Sequence, residues 1–151
     1  MKGITKEELL AFCEAFVVDR ITRIRKNMLN IREALDSETK SSAGDKHETA
    51  RSMLQLEREK LGRQLAKAEE MKYVVARINL KDSMETIGLG SCITTSKGNY
   101  FLAISAGAFT KKDLSVFCIS IGTPIGRLLL GKTVGDTVVF NGQKIEILAI
   151  E

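Results

Sequence analysis

The sequence predicts an α+β protein in two parts: an antiparallel helical hairpin over residues 1–80, then a small antiparallel sheet domain with one short helix over 81–151. Three observations predict it. Nine of the twelve glycines and the single proline fall after residue 80, so the first part is poor in the residues that break helices. That first part carries apolar residues at alternating steps of four and three, the spacing of a coiled-coil seam. The second part alternates apolar and polar residues between turn signals, as half-buried strands do.

The first seam runs through Leu10, Val17, Ile21, Ile24, Met28, Ile31 and Leu35, and the second through Ala50, Leu54, Leu61, Leu65, Ala68 and Val75. Glu57 and Lys72 are weak positions of the second seam, and Gly62 costs it about 1 kcal/mol relative to alanine. Between the seams lies Asp36-Ser37-Glu38-Thr39-Lys40-Ser41-Ser42-Ala43-Gly44, polar and small, which reads as the turn of a hairpin with its tip near residues 36–48. Arms of about 30 residues make a rod of roughly 45 Å at the rise of an α-helix. A coiled coil dimerising between chains is the competing reading; the polar gap and the matched arm lengths favour a monomeric hairpin.

In the second part, Ile87 to Thr95 and Asn99 to Ser105 read as strands separated by Ser96-Lys97-Gly98, and Val116 to Ser120 as a third. Val138 to Phe140 and Gln143 to Ile150 flank Asn141-Gly142, a strong hairpin signal. The helix has both ends written in: Thr123 to cap it, Pro124 at its first position and Gly131 to end it.

Composition narrows the function classes. The chain has 151 residues, 44% hydrophobic and 28% charged, with no apolar run of the ~20 residues a bilayer-spanning helix needs. The charged start, Met1-Lys2-Gly3-Ile4-Thr5-Lys6-Glu7-Glu8, is unlike a signal peptide, and a cytoplasmic location is expected. Cys13, Cys92 and Cys118 are scattered without ligand spacing and read as reduced core residues. The net charge is +4, and its distribution is more informative: Arg20, Arg23, Arg25, Lys26 and Arg32 form a basic stretch, followed by Glu33, Asp36, Glu38, Asp45 and Glu48. A solvated helix surface explains such charges, as does a basic shaft with an acidic end.

Asp45 and Glu48 lie three apart at the start of the second helix and so share a face. Two readings fit. Asp-x-x-Glu is a capping box, favoured also by the helix dipole. Alternatively the carboxylates are hard oxygen ligands for part of a Mg²⁺ shell, completed by groups from another molecule. His47, the sole histidine, stands between them as a solvent-facing spacer or as a ligand or proton carrier.

The stretch Thr123-Pro124-Ile125-Gly126 to Gly131-Lys132-Thr133-Val134-Gly135-Asp136 resembles the C-terminal signature of the bacterial Gre (GreA/GreB) transcript cleavage factors, in which Ser-Pro-Ile-Ala, an apolar turn and Gly-Lys-x-x-Gly-Asp precede the last two strands. Gly44-Asp45-x-x-Glu48-x-Ala50 is similar to that family's tip motif. Together the two motifs cover nearly the whole chain in the family's order.

The resemblance implies an FKBP-like C-terminal domain that docks on bacterial RNA polymerase, with Thr123, Pro124, Ile125, Gly126 and Arg127 as docking candidates. It implies a hairpin that enters the polymerase secondary channel. There Asp45 and Glu48 would help bind a Mg²⁺ shared with the polymerase, which then cleaves backtracked RNA with its own active site; the chain is not an enzyme in that reading. Arg20, Arg23, Arg58 and Arg63 become candidates for contacting the nascent RNA 3′ end, because phosphate contacts need charge.

The pattern departs from the family at Thr49, where Asn is usual, and at Ser52, where an aromatic is usual. These departures bear on the cleavage activity and keep a second function open: a non-cleaving secondary-channel regulator that competes with cleavage factors. A prolyl isomerase is disfavoured, since such pockets are lined by several aromatics and this half offers only Tyr100, Phe101, Phe109, Phe117 and Phe140.

Overall fold

A computed structural model describes residues 3–40, 45–82 and 84–151, with the backbone alone for 39, 40, 45 and 46. The elements run α1 (Lys6–Lys40), α2 (Asp45–Ala76), β1 (Cys92–Thr95), β2 (Asn99–Ala103), β3 (Gly107–Lys111), β4 (Leu114–Ser120), α3 (Pro124–Leu129), β5 (Thr137–Phe140) and β6 (Gln143–Ile150). They form two compact units: Val17–Lys72, and Met1–Phe16 together with Tyr73–Glu151. Composition divides the chain at residue 80, whereas contacts divide it within the helices and group the helix bases with the sheet.

The hairpin unit is antiparallel. Arg25 pairs with Glu69 at 3.6 Å, Arg20 lies against Met71, and Glu38 meets His47, so positions rise on α1 as they fall on α2. Its buried seam consists of Val17, Ile21, Ile24 and Leu35 against Leu61 and Ala68. Glu57 and Lys72 are exposed, as their weak seam positions predict. One expectation is corrected here. Residues 36–40 were expected in the turn, but α1 continues through Lys40. Asp36 to Lys40 contains neither Gly nor Pro, so a polar helix end extends past the last apolar seam residue without a breaker to stop it. The rest of the expected turn, residues 41–44, lies outside the described residues.

In the other unit, α1 starts with a capping box that sequence reading missed: Thr5 N donates to Glu8 Oε2 at 2.9 Å, and Glu8 N donates to Thr5 Oγ1 at 3.1 Å. Its buried residues there are Leu9 and Cys13, four apart, rather than the expected Leu10, which is only half-buried. A sheet-facing helix buries a wider stripe than a coiled-coil seam, which moves the line by one residue.

The sheet has six strands in the order β3-β4-β2-β1-β6-β5. It is mixed rather than antiparallel throughout, because β2 and β4 pair in parallel, with Phe101 opposite Cys118. Strand β3, absent from the sequence reading, makes this possible: it forms an edge hairpin with β4 through Lys112, which has φ 55°, and β4 inserts between β3 and β2. The expected strand from Ile87 shortens to Cys92–Thr95, with only an isolated bridge from Thr86 to Thr133 before it. The Asn141-Gly142 hairpin forms as expected, both residues at positive φ (50° and 76°), as a type I′ turn requires.

The sheet is covered on both faces. On one, Ile93, Leu102, Val138, Ile145 and Ile147 pack with Ile125 and Leu129 of α3. Cross-strand register places Cys92, Phe101 and Cys118 in one row on the other face. There Phe12 of α1 meets Phe109 of β3 edge-on, with ring centroids 5.4 Å apart.

Candidate acidic tip and basic groove

Helix α2 begins at Asp45, so the acidic pair occupies its first turn, where negative charge is favoured. The Asp45 side chain lies outside the described residues, and with it the capping contact expected of it. Glu48 is exposed. Among the described residues no group of three or more His, Cys, Asp or Glu side chains is gathered as a metal site. A carboxylate at Glu48, with one at Asp45, is a hard-oxygen donor set that suits Mg²⁺ but supplies only part of its shell.

His47 keeps a partly exposed side chain but also makes a contact across the hairpin. Its Nδ1 lies 2.8 Å from Glu38 Oε2, joining the end of α1 to the start of α2. The sequence reading missed this pairing because it placed Glu38 in a turn. With residues 36–40 helical, Glu38 is carried to the level of His47 instead.

The four candidate arginines separate into two groups. Arg20 and Arg23 line an open groove of ≈460 Å³ on the hairpin, together with Ile24 and Asn27 of α1 and Gln64 and Lys67 of α2. Residues 20, 23, 24 and 27 share one helix face by their spacing. Arg23 is also held by Asp19 one turn earlier, at 2.9 Å. Arg58 and Arg63 are exposed on α2 and are not part of this groove. Asn27, Gln64 and Lys67 were not singled out from sequence. The signal for them was the antiparallel pairing itself, which sets residues near 64–71 beside 20–27.

The docking candidates divide similarly. Thr123 is the N-cap of α3, its Oγ1 accepting from Gly126 N at 3.1 Å and donating to the Ser120 carbonyl at 2.7 Å. Ile125 is buried in the core. Gly126 is buried against backbone: a Cβ there would lie 2.1 Å from the Ser120 carbonyl oxygen, well inside contact distance. These three residues build the helix, which leaves Pro124 and Arg127 as the exposed members of the set. Gly131, with φ 80°, follows the helix in the left-handed conformation expected of it.

Two long antiparallel helices with an acidic start to the second, joined to a mixed sheet bearing one capped helix, are the setting for the comparisons. Residues 84–151 match the family described as "Transcription elongation factor, GreA/GreB, C-term". The sheet-bearing part of the chain is thus similar to the C-terminal domain of the GreA/GreB transcription elongation factors. A solved structure described as "Structure of the transcription factor Gfh1" is similar at 21% identity over 91% of this chain and 92% of that one, with a TM-score of 0.37, too low to inform the site. No curated protein sequence matches the chain.

Proposed function

We propose that this factor binds bacterial RNA polymerase, reaches its active site through the secondary channel, and stimulates Mg²⁺-dependent cleavage of backtracked RNA by the polymerase itself. The observation that carries the reading is the acidic first turn of α2, at the end of two long antiparallel helices, with Glu48 open to solvent. Asp45 and Glu48 would together hold one face of a shared Mg²⁺, and polymerase acids and RNA phosphate oxygens would supply the rest. When bound, such an ion polarises the phosphodiester and helps generate the attacking water. The chain's own carboxylates place and charge-balance that arrangement. The His47–Glu38 contact ties the ends of the two helices together beside the acidic turn, which limits the positions Glu48 can take. The groove lined by Arg20, Arg23 and Lys67 offers positive charge to an RNA phosphate further along the hairpin.

The test is RNA shortening from the 3′ end in purified stalled elongation complexes, across a Mg²⁺ titration. Asp45→Asn and Glu48→Gln keep size while removing an anionic ligand. Each should leave polymerase binding near the parent level, lower cleavage at least tenfold, and shift the Mg²⁺ requirement upward. Mutants that cleave like the parent throughout the titration would make the acids caps only. Thr49 and Ser52, where the family's tip residues differ, favour a second reading: a channel-binding regulator that does not cleave. A parent protein that displaces a cleavage-competent factor from the polymerase yet shortens no RNA would establish that reading.

A further inference from the structure

Residues 88–91 turn the chain into β1, and backbone bonds fix this turn to the sheet. Gly90 N donates to the Leu102 carbonyl at 2.7 Å, and Leu102 N donates to the Ser91 carbonyl at 3.0 Å. Ile78 and Met84, both ahead of the turn, cover it at its two glycines. A Cβ at Gly90 would stand 3.0 Å from Ile78 Cγ2, and one at Gly88 would stand 3.3 Å from the Met84 sulfur. Met84 also makes a polar contact there. Ser91 Oγ donates to Met84 Sδ at 3.2 Å while accepting from Gly88 N at 2.9 Å. Ser91 is wholly buried, at 0% exposure, whereas Met84 keeps part of its surface in solvent. A buried hydroxyl therefore depends for its acceptor on a side chain that solvent reaches.

We propose that Met84 is a site of oxidation by hydrogen peroxide, which forms a single sulfoxide epimer there and releases the side chain from the turn. A thioether sulfur has two lone pairs, one on each side of its C–S–C plane. Oxygen transfer to one or the other gives the two sulfoxide epimers. The Ser91 hydroxyl occupies one side, with the Gly88 backbone beside it. A peroxide has the other side to approach. There the sulfur lone pair attacks one peroxide oxygen, the O–O bond breaks and the S–O bond forms. The second oxygen leaves as water with both peroxide protons. The sulfur is oxidised and the peroxide reduced, with no further reactant. The electron-poor sulfoxide sulfur is a weak acceptor, and its new oxygen lies on the side away from Ser91. The buried hydroxyl is left without an acceptor, which destabilises the turn. The polar S–O group no longer suits the contact with Gly88, so the side chain swings outward.

The test treats the full-length protein with hydrogen peroxide under native conditions, then alkylates its thiols and digests it with trypsin. Met84 lies in the peptide Asp82–Lys97 and Met53 in the peptide Ser52–Arg58, so mass spectrometry reads each separately. The digest is divided between the two methionine sulfoxide reductases, one for each epimer. Met53, 66% exposed, is the internal reference, and each enzyme should restore roughly half of it. At Met84 one enzyme should restore nearly all the sulfoxide and the other almost none. Denatured in urea before the peroxide is added, the same protein should give both epimers at Met84, because the turn no longer covers one side. Peroxide should also lower the unfolding midpoint of the parent by about 2–8 °C more than that of Met84→Leu, which shares every other oxidisable residue. A Met84 that stays unoxidised while Met53 is fully converted overturns the proposal. So do equal epimers at Met84 in the natively treated protein, or a parent whose midpoint falls no further than that of Met84→Leu.

Discussion

Gly126 shows how a single hydrogen atom can decide whether α3 forms. The family pattern places Ala at this position, yet here any Cβ would meet the Ser120 carbonyl oxygen at 2.1 Å, with the capping Thr123 Oγ1 at 2.8 Å. Gly126→Ala should therefore lower stability by about 1–3 kcal/mol, as overpacking against backbone does, which denaturant unfolding would read. An unchanged midpoint would mean that the β4–α3 connection yields freely. Thr123→Ala, which removes the cap but adds no bulk, should cost about 0.5–2 kcal/mol. A second residue-scale consequence concerns Cys92. Burial pushes its thiol up to about 11, with the Glu151 carboxylate adding to the shift. Because the folded value lies above the unfolded one, the stability it contributes is complete below the unfolded thiol range near 9. It is lost as pH rises toward 11, where the unfolded chain has already given up the proton. Stability measured between pH 8 and 11 should fall less steeply in Cys92→Ala than in the parent.

At the scale of elements, what the sequence disclosed and what it withheld follow from where information is local. The α3 cap, the Asn141-Gly142 turn and the seam residues Ile24, Leu61 and Ala68 are visible because each depends on residues a few positions apart. Strand β3 escaped because Gly107–Lys111 is largely exposed and carries a single half-buried residue, Phe109, so it has little alternation to display. The parallel β2–β4 pairing escaped for a different reason: it is a consequence of β4 lying between β2 and β3, which no local pattern encodes. The acidic pair was legible as a spacing, but its neighbour Glu38 was not, since the helical state of residues 36–40 depends on the whole arm. If that arm end matters, Glu38→Ala should lower the stability of the hairpin end, seen as faster amide exchange in residues near 47–50, without altering exchange in the sheet. Equal exchange in both proteins would show that the His47–Glu38 contact fixes nothing.

For the whole molecule, the base of α1 belongs with the sheet. Ile4, Leu9 and Cys13 are buried in the unit that contains residues 73–151, on the face that carries Phe101, Val116 and Cys118. A fragment beginning at residue 81 keeps the α3 face but exposes the other. It should melt below the full chain and bind a hydrophobic dye such as ANS; equal midpoints and no dye binding would show that α1 adds nothing to the sheet. The strand order has a further consequence for how the chain acquires its structure during synthesis. Strand β5 joins the sheet only through β6, and β6 must reach β1 across everything made in between. The α1 side of the sheet can close as soon as β4 has emerged. The α3 side must wait for Ile145 and Ile147, so for an interval the nascent protein holds one finished face and one greasy, open one. Ile93 and Leu102 are then the surfaces a chaperone would meet.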